Sequence, residues 1–174
     1  MVNADEHSTG QAAAPARGPR RGADRRLMAM LAAIAALGSL AIHMMVPALP
    51  LLSRDLAVSP QAAQQVVSFY LFGLAAGQLL VGPVIDRVGR RLVLVSGIGI
   101  YTVAAALGAL SSTPEPLLLA RIVQAMGASA GLVASRVIIG DVFGRDGAGR
   151  RQAMLMSVVL QSPALAPVLG GLVA

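Results

Sequence analysis

Past residue 26 the chain alternates long apolar runs with short polar interruptions. The runs cover about Leu27 to Leu49, Ala62 to Val81, Leu92 to Leu110 and Leu117 to Ile139, with a fifth beginning near Ala153. A bilayer core of about 30 Å is crossed by about 20 apolar residues in a helix, so each run reads as a membrane-spanning helix. The interruptions carry breakers and charges: Ser53-Arg54-Asp55 with Ser59-Pro60, Gly82 to Arg91, Ser111-Ser112-Thr113-Pro114-Glu115-Pro116, and the glycine-rich stretch Gly140 to Arg151. Residues 1–26 are Ala, Gly, Pro, Ser and Arg with hardly any large apolar side chain. Such a segment buries too little surface to offset its ordering entropy, so a disordered tail is expected at 1–26 and a membrane domain at 27–174. The first apolar run also exceeds the roughly 7–15 residues of a secretory signal core. The expected fold is all-α and membrane-embedded, with about five spans present.

Composition sharpens this. Hydrophobic residues make up 56% of the 174 residues, charged residues 13% and aromatics 3%, with no Trp. Soluble domains usually carry about a quarter charged residues, and the aliphatic excess suits lipid-facing helices. There is no cysteine, which excludes disulfides, thiol nucleophiles and thiolate metal sites. All 14 basic residues are arginine and the net charge is +6, yet they flank apolar spans rather than forming one basic stripe. Nucleic-acid binding is therefore not expected. Arg17, Arg20, Arg21, Arg25 and Arg26 precede the first span, Arg87, Arg90 and Arg91 follow the second, and Arg145, Arg150 and Arg151 follow the fourth. The opposite face has Arg54 alone, so the positive-inside rule places the N-terminus in the cytoplasm. An enzyme is not expected: no metal-spaced cluster occurs, and the stretch Asp141 to Arg151 lacks the Lys-Ser/Thr of a phosphate loop.

Within the spans, small and polar residues mark the positions of interest. Gly73 and Gly77 are four apart, as are Gly127 and Gly131, the spacing that lets helices approach closely in lipid. Arg121, Gln124, Ala128, Gly131 and Ser135 share one helical face, fit for a partner helix or a watered cavity. Arg121 either turns into such a cavity or snorkels to the interface near Pro116. His43 either exchanges a proton or sits as a neutral, hydrogen-bonded imidazole. Asp86 is suited to a helix N-terminus or an arginine, and Asp141 to Arg90; against this stands a solvated loop that only sets topology.

Gly82-x-x-x-Asp86-Arg87-x-Gly89-Arg90-Arg91 between two spans resembles the loop joining the second and third helices of major facilitator superfamily transporters. Three further stretches extend the likeness to the Bcr/CflA-type drug:proton antiporters. Arg121-x-x-Gln124 before Gly127-Ala128 is similar to the fourth-helix antiporter motif, with Ala125 where Gly is common. His43-Met44-Met45-Val46-Pro47-Ala48-Leu49-Pro50 resembles the first-helix signature, with His43 at its acidic position. Ala166-Pro167-Val168-Leu169-Gly170-Gly171 is similar to the end of the fifth-helix motif, in which Pro167, Gly170 and Gly171 would bend the helix and admit a neighbour.

The resemblance covers about Leu27 to the end. It implies the first five of twelve helices of a facilitator in the bacterial inner membrane, completed by a carboxy-terminal bundle. It also implies efflux of small drug-like molecules, with the proton gradient as energy source and no cofactor. His43, Arg121 and Gln124 would line the substrate and proton pathway. Gly82, Asp86, Arg87, Gly89, Arg90, Arg91 and Asp141 would form a cytoplasmic latch. Metabolite transport by the same fold, or a truncated module that does not transport, are the alternatives.

Overall fold

A computed structural model describes residues 21–173, and their side chains except at 21, 145–146 and 165–173. Its elements are α1 (Arg21–Asp55), α2 (Pro60–Val88), α3 (Arg90–Ala109) and α4 (Pro114–Val173), with no strand among the described residues. Four stretches are long and apolar enough to cross a membrane: Gly22–Asp55, Pro60–Val88, Arg90–Ala109 and Pro114–Gly144. At Gly144 the backbone leaves the helical region (φ 63°, ψ −178°), dividing α4 into a first arm and a second arm that remains helical to Val173.

Besides residues 53–55 and 114–116, read as interruptions but lying in the end turns of α1 and α4, three boundaries differ from the sequence reading. Helix α1 begins at Arg21, inside the stretch assigned to a disordered tail; Asp24 in its first turn complements the helix dipole. Residues 1–20 lie outside the described residues. The polar stretch Gly140 to Arg151 is helical on both sides of Gly144 rather than a loop. A single residue is enough to turn the chain there, because glycine reaches positive φ without a side-chain clash.

The third difference concerns the charged motif. Gly82 to Val88 is not a loop but the last two turns of α2, and only Gly89 separates α2 from α3. A helix satisfies its own backbone groups, so it can run past the apolar span into the interface. Gly89 closes α2 by donating its N–H to the Ile85 carbonyl at 2.9 Å, and its φ of 89° admits the reversal. At the other end of α2, the Ser59 hydroxyl accepts from Ala62 N at 3.2 Å and Pro60 occupies the first turn.

Helix α4 packs against all three others. Its first arm is the most buried span, and its glycines explain how. A Cβ on Gly73 would fall 2.6 Å from the Ile122 carbonyl oxygen, and one on Gly77 would collide with Ser129 Oγ. On α4 itself, a Cβ at Gly127 would lie 2.6 Å from the Gly97 carbonyl oxygen, and one at Gly131 2.8 Å from Ile34 Cγ2. Backbones therefore meet at Gly73 and Gly127, while Gly77 and Gly131 make room for the Ser129 and Ile34 side chains. Two apolar clusters close the bundle: Leu31, Ala35, Ile139 and Leu155 join α1 to both arms of α4, while Ile85, Val93, Ala130 and Ala134 join α2, α3 and α4. Phe72, Leu79, Leu110 and Leu160 point outward, as expected of a lipid-facing shell. Pro167, Gly170 and Gly171 fall within the second arm but outside the residues whose side chains are described.

Candidate functional site

The residues singled out by the sequence fall into two groups, one at the α2–α3 junction and one inside the bundle. At the junction, Arg90 opens α3 and Asp141 lies in the last turn before the Gly144 break. Arg90 Nη2 donates to Asp141 Oδ1 at 3.1 Å, and Nε faces Oδ2, a two-pronged pair across α3 and α4. Both side chains are about half exposed (52% and 45%), so solvent screening leaves the pair about 1 kcal/mol or less. Asp86, Arg87 and Arg91 are exposed, and among the described residues Asp86 makes no ion pair. A Cβ on Gly82 would meet nothing within 4 Å. The motif thus presents an open polar surface, tied to the bundle through Arg90.

Inside the bundle, Arg121 turns away from the nearby end of α4. Its Nη1 donates to Gln124 Oε1 at 3.2 Å, one turn deeper in the same helix, and Nη2 reaches the Met45 sulfur on α1. Seven residues separate Arg121 from Pro114, about 10 Å along the axis. The guanidinium is thus directed deeper along α4, toward Gln124 and α1, rather than toward Pro114. The face that carries Arg121 is the seam with α1. Further along it, Ala128 meets Gly38, Gly131 meets Ile34, and the Ser135 hydroxyl donates to the Leu31 carbonyl at 3.3 Å.

His43 belongs to a separate network. Its Nδ1 lies 2.7 Å from the Ser39 carbonyl oxygen, which only accepts, so Nδ1 carries a proton and donates it there. The Ser39 hydroxyl is 2.6 Å from Ser162 Oγ on the second arm of α4. Both hydroxyls approach the Val159 carbonyl, Ser162 at 2.7 Å and Ser39 at 3.4 Å. The reason is local. Pro163 has no N–H, so Val159, four residues earlier, lacks its helical donor. Each hydroxyl carries one proton, so the pair supplies Val159 with one donor and holds the second between the two oxygens.

Neighbouring carbonyls of α1 are also tied: Tyr70 Oη donates to Gly38 O at 3.0 Å and Tyr101 Oη to Leu37 O at 3.5 Å. Residues 37–39 are thus held from α2, α3 and the second arm of α4 together. Sequence reasoning missed Ser39, Ser162, Tyr70 and Tyr101 as polar partners. The adjacent Ser162-Pro163 in an apolar run was the available signal, since a proline there predicts an orphan carbonyl at Val159. His43 and Arg121 share no hydrogen bond among the described residues.

A family model for the Major Facilitator Superfamily matches residues 29–174, nearly all of the helical chain. The chain belongs to the major facilitator superfamily. Its all-α, membrane-spanning architecture is consistent with a facilitator amino-terminal bundle, and it is a multi-pass membrane protein of a transporter family. Among curated relatives, Multidrug resistance protein D of Escherichia coli (strain K12) is 36% identical over 146 residues, covering 84% of this chain and 37% of that protein. The Chloramphenicol resistance protein of Pseudomonas aeruginosa is 41% identical over 139 residues, 79% of this chain and 33% of that protein. An uncharacterized MFS-type transporter, YdgK of Bacillus subtilis (strain 168), is 39% identical over 142 residues, 82% and 35%. This facilitator chain spans about a third of the length of the relatives it matches.

Proposed function

We propose that this protein is a secondary transporter that exports small drug-like molecules from the bacterial cytoplasm in exchange for protons, with its N-terminus cytoplasmic. The observation that carries this is identity of 36–41%, over about four-fifths of the chain, to relatives named for multidrug and chloramphenicol resistance. Arg121 with Gln124, and His43, are the candidate pathway residues. The Arg90–Asp141 pair and Asp86 are the candidate cytoplasmic latch. Substrate would pass between this bundle and a second one that completes the transporter, by rocking of the two around a midplane site. Arg87, Arg90 and Arg91 around the α2–α3 junction, and Arg145, Arg150 and Arg151 just after Gly144, support the orientation.

The test uses the full-length protein in inverted membrane vesicles with an imposed proton gradient, acidic inside. Addition of ethidium or chloramphenicol is expected to release lumenal protons, and an uncoupler to abolish substrate accumulation. Accumulation that persists at zero proton gradient would remove proton exchange from the reading. Absence of transport for a panel of such compounds would remove drug export.

A further inference from the structure

Arg121 presents a physical problem that its two partners do not solve. A guanidinium has five N–H donors. One N–H goes to Gln124 and a second reaches a thioether, and no carboxylate pairs with it among the described residues. Yet it stands about two turns inside a membrane-spanning helix. Something else must solvate the charge.

The space beside it has the shape to do so. A cavity of about 380 Å³ lies between α1, α3 and α4, and its lining includes Met45, Asp55, Ala105, Ser111, Arg121 and Gln124. Asp55 ends α1, and Ser111 follows α3, so these two sit where the helices emerge. Met45 lies ten residues inside Asp55, about 15 Å at 1.5 Å per residue, and Gln124 is buried. The cavity therefore runs from the end of the bundle down to the guanidinium. At about 30 Å³ per molecule it has room for roughly ten waters, and it offers them a carboxylate, a hydroxyl, an amide and guanidinium N–H groups as partners.

We infer that this crevice is a hydrated access route, which solvates Arg121 and carries water, and with it protons, between the outer membrane face and the Arg121–Gln124 pair. Its described lining comes from α1, α3 and α4, so the route runs between helices of this bundle. The assignment of the mouth to the outer face, and of the protons to coupling, rests on the function proposed above; the hydration of the crevice does not.

Cysteine accessibility reads hydration directly, and the chain contributes no competing thiol. Two residues along a helix are about 200° apart, so Ala105 faces the crevice while Val103, 60% exposed, lies on the opposite side of α3 in an apolar groove with Leu107 and Leu119. In the full-length protein, Ala105→Cys is expected to react with an anionic methanethiosulfonate about tenfold or more faster than Val103→Cys, because only a hydrated thiol ionises. Gly108→Cys is the second reporter: a Cβ there makes only ordinary contacts, 3.5 Å to Ala120 and 3.6 Å to Leu117.

Arg121 at the floor should favour the anionic reagent over a cationic one. That preference is expected to fall in Ala105→Cys/Arg121→Gln. If Ala105→Cys and Gly108→Cys both react as slowly as Val103→Cys, the route is overturned. A charge preference indifferent to Arg121→Gln overturns it equally, since the crevice then does not reach the guanidinium. The side from which impermeant reagent works, outside in intact cells or the cytoplasmic face in inverted vesicles, reports orientation separately. Labelling from the cytoplasmic face alone would reverse the topology while leaving the hydrated crevice standing.

Discussion

Arg121 shows how much depends on the direction of one side chain. Bonded to Gln124 and turned toward Met45, it uses the planar fork of the guanidinium rather than a point charge. Lysine keeps the charge but lacks that fork. Arg121→Lys in the full-length protein is expected to lower proton-dependent efflux about tenfold or more at matched membrane content, with Arg121→Ala no better. Wild-type efflux by Arg121→Lys would return the residue to a packing role. The serine pair permits a complementary test of stability. Removing one hydroxyl leaves the other near Val159, so Ser162→Ala is expected to destabilise by about 1 kcal/mol. Removing both leaves that carbonyl without a donor in an apolar setting. Ser39→Ala/Ser162→Ala should therefore lose more than the sum of the singles, read as unfolding midpoints in detergent.

At the scale of elements, the α2–α3 connection is a single residue. Gly89 at φ 89° has a backbone conformation that side chains oppose by about 1–3 kcal/mol. Gly89→Val is expected to lower the unfolding midpoint and to separate Arg90 from Asp141, because α3 can no longer leave α2 at its present angle. Gly82→Ala is the contrast. Its Cβ would meet nothing within 4 Å, so the bundle should fold unchanged. A normal midpoint for Gly89→Val would show that the turn relaxes elsewhere. Gly77 sits in the opposite situation, pressed on Ser129, and a larger side chain there would force α2 off α4.

For the whole molecule, the question is which way the bundle sits and what holds its charged end. Val88→Cys and Gly147→Cys are expected to be protected from an impermeant thiol reagent in intact cells, and Ser112→Cys to be labelled. External labelling of Gly147→Cys would overturn the orientation. The half-exposed Arg90–Asp141 pair adds little to stability, so its removal should act on transport rather than folding. Asp141→Asn is expected to slow efflux with normal insertion, and the exchanged pair Arg90→Asp/Asp141→Arg to recover part of the rate. No recovery would leave each charge with a separate task.

The order of apolar runs and breakers was enough to establish the all-α membrane class, the four spans up to Gly144 and a break at residues 111–113, with Pro114 opening α4. These follow from local rules: length against bilayer thickness, and prolines that sit readily in the first turn of a helix. The spacing of Gly73, Gly77, Gly127 and Gly131 likewise marked positions where a neighbouring helix leaves no room for a Cβ. What hydropathy hid was backbone conformation in polar stretches. Gly82 to Val88 and Gly140 to Arg151 read as loops because they are charged, yet a helix is indifferent to charge once its own hydrogen bonds are made. Only the tertiary structure decided the direction of Arg121 and brought Ser39 to Ser162 across more than a hundred residues. Those contacts depend on which helix faces which, and a one-dimensional pattern, being the same for every arrangement of the spans, does not carry that information.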